Sequence, residues 1–153
     1  MCGNRLHAVG RNRLERRRQN PVPRTADMGF QQFGGSGSVT LTTVTVTSQW
    51  AGGSASVAYV AGSATGTTVT GGSYSSNGSA GSGGLFNIQS GTLTLSSVTF
   101  GSSTSNTHGG VVLHNSSGTL TATDVQFNGS YANGTGGSIM QTAGSQSLTR
   151  VTF

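Results

Sequence analysis

Chemistry on a polypeptide needs groups that ionise or attack, and most of this chain carries very few. From residue 30 onward, the only ionisable side chains other than histidine and tyrosine are Asp124 and Arg150. Glycoside hydrolysis uses two carboxylates flanking the scissile bond, and eliminative cleavage of uronates needs acidic calcium ligands beside a basic group. A lone carboxylate supplies neither, so Asp124 reads as a solvated residue. His108 and His114 flank Gly109-Gly110 and invite a metal or acid–base role, but no third ligand accompanies them. Serine and threonine abound without the base and orienting acid that a nucleophile requires. Cys2 is the single cysteine, which leaves no intrachain disulfide and no cysteine–histidine cluster at metal spacing. The expectation is a protein without catalytic, metal-binding or cofactor-binding residues.

Charge divides the chain in two. Seven of the eight basic residues lie within the first 24 positions, and lysine is absent. Residues 1–33 read as a basic, Arg-rich tail, disordered or irregular, holding both prolines in NPVPR; a transit peptide or nucleic-acid arm is the sharper alternative. The body is neutral and lacks the clustered cations that phosphate binding needs, which argues against nucleic acid as its partner. No run of 18 apolar residues suits a transmembrane helix, and the N-terminus has no apolar stretch of the kind found in secretory signals.

Residues 34–153 are organised by repetition. Five decamers align without gaps: GSVTLTTVTV from Gly37, GSATGTTVTG from Gly62, GTLTLSSVTF from Gly91, GTLTATDVQF from Gly118 and GSQSLTRVTF from Gly144. A second landmark keeps the same beat, with Gly83-Gly84, Gly109-Gly110 and Gly136-Gly137 preceding LFNI, VVLH and SIM. Two landmarks with one period of about 27 residues mark a structural repeat. Inside a decamer, Leu93, Leu95, Val98 and Phe100 are apolar and Thr94 and Thr99 polar, with a phase shift at Ser96-Ser97. That is strand alternation with a bend.

So short an apolar face can be buried only by the next repeat, which predicts stacked parallel coils, four to five in number. Val44, Val69, Val98, Val125 and Val151 then form one interior column; Val46, Gly71, Phe100, Phe127 and Phe153 form the next. Thr45, Thr70, Thr99, Gln126 and Thr152 form an outward column. The bend position holds Thr43, Thr68, Ser97, Asp124 and Arg150, so Asp124 and Arg150 stack as an ion pair on successive coils. His114 aligns with Ile88 and Gln141 and reads as an ordinary repeat position.

Trp50, Tyr74 and Tyr131 fall three or four residues after their decamers, in corresponding loops. Aromatic faces along one edge could grip a glycan or a protein partner, and these three are the candidate binding residues. Sequons also stand at Asn77, Asn115, Asn128 and Asn133, read here as a product of turn composition.

The unit of Gly-Gly, two apolar residues, a GTLTLSSVTF-like strand pair and a polar loop resembles the repeats of polymorphic outer membrane proteins and related autotransporter-adhesin passengers. The resemblance covers residues 37–153, with GGLF, GGVV and GGSI where that family has Gly-Gly-Ala-Ile, and without its Phe-x-x-Asn. It implies an all-β, right-handed parallel β-helix of the pectin-lyase-like kind. It also implies a non-catalytic extracellular, outer-membrane or cell-surface segment for adhesion or display, with surface glycans or cell-surface proteins as partners. The chain ends in mid-coil at Phe153, which points to a longer parent protein. Two alternatives are a fragment of a carbohydrate-active β-helix enzyme and an ice-binding solenoid; against the latter, Gln126 interrupts the Thr45 column and the repeat is long, so a thermal-hysteresis assay is expected to read zero.

Overall fold

The structure, a computed structural model, describes residues 36–153 together with the backbone of the strand Phe30–Gln32. Cys2 and the Arg-rich stretch lie outside the described residues. The fold is all-β, with parallel strands stacked as a β-solenoid of about 4 turns. The first coil contributes β1 (Phe30–Gln32), β2 (Ser38–Thr47) and β3 (Trp50–Ala51). The second contributes β4 (Ala58–Val60), β5 (Gly66–Ser75) and β6 (Gly78–Ser79). In the third, β7 (Phe86–Ile88) is followed by β8 (Thr92–Ser96), β9 (Thr99–Gly101) and β10 (Thr104–Ser105). The fourth holds β11 (Val112–His114), β12 (Thr119–Asn128) and β13 (Tyr131–Ala132), and β14 (Ile139–Gln141) and β15 (Ser145–Thr152) begin another.

These strands make three walls. β1, β4, β7, β11 and β14 form the first; β2, β5, β8 with β9, β12 and β15 form a long sheet; β3, β6, β10 and β13 form a short one. β1 falls within the segment assigned from sequence to the tail, yet it pairs Phe30 with Ala58 and Gln32 with Val60.

Each strand of the long sheet bends where one residue takes a left-handed backbone: Thr43 (φ 51°), Gly71 (66°), Ser97 (54°), Asp124 (54°) and Arg150 (51°). The bend resets the alternation, so Leu93, Leu95, Val98 and Phe100 all point inward and are buried. The Gly-Gly landmark has a separate cause. Gly83 needs its positive φ of 67°, and a Cβ on Gly84 would lie 2.0 Å from the Gly110 carbonyl oxygen of the next coil. Gly110 stands in the same relation to Gly137 O, again at 2.0 Å. At the second glycine of each pair a side chain would therefore collide with the next coil.

Register corrects the expected alignment of the second coil. Val39, Leu41 and Val46 pair with Thr67, Val69 and Tyr74, and Val69 and Tyr74 pair in turn with Leu95 and Phe100. The true counterpart of the Gly37 decamer therefore runs from Thr65 to Tyr74, three residues later than the glycine-anchored alignment places it. Gly62 belongs to the preceding turn. Val69 consequently joins Leu41, Leu95 and Ala122, not Val44 and Val98; Tyr74 takes the column position assigned to Gly71; Gly71, not Thr68, occupies the bend.

The corrected column is the spine of the core. Tyr74 and Phe100 have ring centroids 5.4 Å apart, Phe100 and Phe127 stack at 5.1 Å, and Phe127 and Phe153 at 5.2 Å. Phe86 closes on them edge-on from the first wall, 5.8 Å from Tyr74 and 6.1 Å from Phe100. Burying a side chain of this size contributes about 1.5–3 kcal/mol by transfer from water. Phe100 is fully buried whereas Phe153, with a coil on one side only, is 68% exposed. Phe100→Ala is expected to cost about 3–5 kcal/mol and Phe153→Ala about 0.5–1.5 kcal/mol, read as shifts in the denaturant midpoint at constant slope.

Candidate functional site

The short sheet is built from two-residue strands. Their inward residues, Ala51, Ser79, Ser105 and Ala132, are small and buried, so this wall sits close against the shaft. The serine hydroxyls find partners at hand: Ser79 Oγ donates to Gly81 O at 3.1 Å and Ser105 Oγ to His108 O at 2.9 Å. The outward residues are Trp50, Gly78, Thr104 and Tyr131, in register rung by rung.

This column brings Trp50 and Tyr131 onto one face, as the spacing suggests. Trp50 is 42% and Tyr131 58% exposed. The indole rests against the next rung, because a Cβ on Gly78 would lie only 2.7 Å from Trp50 Cζ3. The missing side chain of Gly78 is its seat. Asn77, just before that glycine, pins the neighbouring turn: Gln49 N donates to Asn77 Oδ1 at 2.9 Å, and Asn77 Nδ2 donates to Val46 O at 3.0 Å. Three rungs separate the two aromatics, about 14 Å at the parallel-sheet spacing. Thr104 adds one hydroxyl between them.

Tyr74 does not belong to this face. It is fully buried in the aromatic spine, its hydroxyl has no hydrogen-bond partner, and burial raises its pKa. The three-residue shift in the second coil is the reason: Gly78 is the real counterpart of Trp50 and Tyr131. The sequence carried a signal for Gly78 and Asn77, since the Asn-Gly pair is a turn dipeptide, but it did not distinguish an aromatic seat from an ordinary loop.

The remaining polar candidates are dispersed. Asp124 and Arg150 form the expected stacked pair on adjacent rungs, with Arg150 Nη2 donating to Asp124 Oδ2 at 2.8 Å, and the hydrogen bond from Arg150 holds the Asp124 carboxyl below its usual range. His108 Nδ1 accepts from Thr135 N at 3.3 Å and lies 3.0 Å from its hydroxyl. Among the described residues no group of three or more His, Cys, Asp or Glu side chains is placed to hold a metal. Of the four sequons, Asn77 is buried and bonded through both side-chain atoms, whereas Asn115, Asn128 and Asn133 are exposed.

His114 occupies an inward column of the first wall with Val60 and Ile88. It is fully buried, its Nε2 reaches Gly91 O at only 3.4 Å, and its Nδ1 has no partner. Desolvation lowers its pKa, against a smaller opposing effect of the bond to Gly91.

The fold defines a parallel β-solenoid with an aromatic-bearing short face; no family model, curated protein or solved structure matches the chain.

The lowered His114 pKa fixes a sign. The unfolded chain binds the proton more readily, so stability is complete above the ordinary histidine value near 6.5 and falls as pH drops from there toward the folded pKa. His114→Ile, which matches Ile88 one rung below, is expected to remove this acid-side loss; denaturant midpoints of both proteins between about pH 7 and pH 5 check it.

Proposed function

We propose that this chain is a non-catalytic segment of a β-solenoid displayed outside the cell, and that its short sheet binds a neutral glycan strand. The observation that carries the reading is the pair of exposed rings, Trp50 and Tyr131, in one outward column with only Gly78 and Thr104 between them. Ring faces suit the apolar faces of sugars, and the Thr104 hydroxyl between them suits a sugar edge. A neutral body gives no charge with which to select polyanions. The likeness of the Gly-Gly and GTLTLSSVTF units to polymorphic outer membrane protein and adhesin repeats supports a cell-surface location.

Affinity electrophoresis in gels containing neutral polysaccharides tests the site. Trp50→Ala and Tyr131→Ala are each expected to weaken retardation by about tenfold, equivalent to about 1.4 kcal/mol, with unchanged denaturant midpoints. Retardation that persists in the double variant contradicts the reading. Polyuronate incubated with the protein is expected to give no unsaturated products; their appearance would favour the polysaccharide-lyase alternative.

A further inference from the structure

The outer face of the long sheet carries an order that the glycan reading does not use. Before the bend, three outward columns run up the stack in strict register. Thr40, Thr68, Thr94, Thr121 and Ser147 form the central one. Thr42, Thr70, Ser96, Thr123 and Thr149 lie on one side of it. Ser38, Gly66, Thr92, Thr119 and Ser145 lie on the other. Every position but Gly66 bears a hydroxyl, and none bears a charge or an aromatic ring.

This differs from the array expected from sequence. The column through Thr45 lies beyond the bend, where the structure aligns Thr45, Ser73, Thr99, Gln126 and Thr152, and Gln126 breaks it. The three-residue correction in the second coil moves Thr68 and Thr70 into the unbroken columns before the bend.

We infer that this face binds ice. Its two repeats are set by backbone geometry: about 4.8 Å between rungs and about 6.6 Å between alternate residues along a strand. Both are repeats of a few ångströms, the scale on which water molecules order beside a surface. The β-branched threonines are stiff at χ1, so ranked methyls and hydroxyls hold ordered water with little side-chain entropy to lose. The platform is backed by the buried Leu41, Val69, Leu93, Leu95, Leu120 and Ala122, which keep it rigid.

Charge and composition select among other occupants. A polyanion or anionic membrane needs cations, of which the face has none. A protein interface draws on aromatic and arginine anchors, and sugar stacking draws on rings. A lattice of water is uncharged and repeats in two dimensions, as the face does. Among the fourteen hydroxyls, only Thr119 and Ser145 bond to one another, at 3.0 Å.

The inference concerns a different wall from the glycan reading and stands or falls apart from it. The test uses the full chain, labelled fluorescently at Cys2, in ice-affinity partitioning and thermal-hysteresis measurements. Wild-type protein is expected to enter growing ice and to depress freezing below melting. Thr94→Lys and Thr121→Tyr, made singly at the centre of the face, are expected to lower the hysteresis activity by about tenfold or more, corresponding to about 1.4 kcal/mol or more of surface binding. Tyrosine is favoured in strands, so Thr121→Tyr decides the matter if the lysine variant unfolds. Asn106→Ala, exposed in the loop after β10, is expected to behave as wild type. Exclusion of the wild-type chain from ice overturns the inference, as does full activity in the central variants or an equal loss in Asn106→Ala.

Discussion

Everything in this molecule depends on residues one coil apart sitting directly over one another. Parallel backbone bonding between rungs imposes that register, and each interior column must then be filled by side chains that tolerate their own kind above and below. Phe100, Phe127 and Phe153 satisfy it by stacking. Gly84 and Gly110 satisfy it by having no side chain where the next carbonyl approaches. The register also sustains local strain: left-handed backbone costs a non-glycine residue about 1–2 kcal/mol, yet Thr43, Ser97, Asp124 and Arg150 all adopt it at the bend. Only by bending there can four apolar residues of one strand face the same shaft.

Much of this was readable from residue types. The two glycine landmarks, the alternation in GTLTLSSVTF and the phase shift at Ser96-Ser97 point to stacked, bent strands, and the Asp124–Arg150 pair follows from the alignment. The error lay in the second coil, where Gly62 resembles the glycine that opens the other decamers. Glycine is a weak anchor, because turns use it at more than one place. Thr65-Gly66 opens the strand instead, and the double glycine Gly71-Gly72, both at positive φ, carries the bend. An aromatic anchor would have aligned Tyr74 with Phe100 and exposed the shift.

That single misalignment governed where the aromatic residues fall. With Tyr74 in a loop, the aromatics form a broken series of three; with Tyr74 in the core, Trp50 and Tyr131 remain as a pair seated around Gly78 and Thr104. In the same way, Thr70 appears beside Thr45 in one alignment and beside Thr42 in the other. The columns through Thr40 and Thr42 carry hydroxyls in both, with Thr65 and Thr67 as the second-coil members in the first and Thr68 and Thr70 in the second. Periodicity alone fixes how many residues make a coil, whereas register decides which of them share a surface.

Register is therefore the quantity to measure. In a Cys2→Ser background, cysteines at Ser73 and Thr99 fall on directly opposed positions of adjacent rungs, within the Cα separation of about 4.4–6.8 Å that a disulfide spans. Cysteines at Thr70 and Thr99 occupy the positions that glycine-anchored alignment would oppose. Mild oxidation followed by thiol counting is expected to show closure of the 73–99 pair and free thiols in the 70–99 pair. Closure of 70–99 with 73–99 left open would contradict the structure at its foundation.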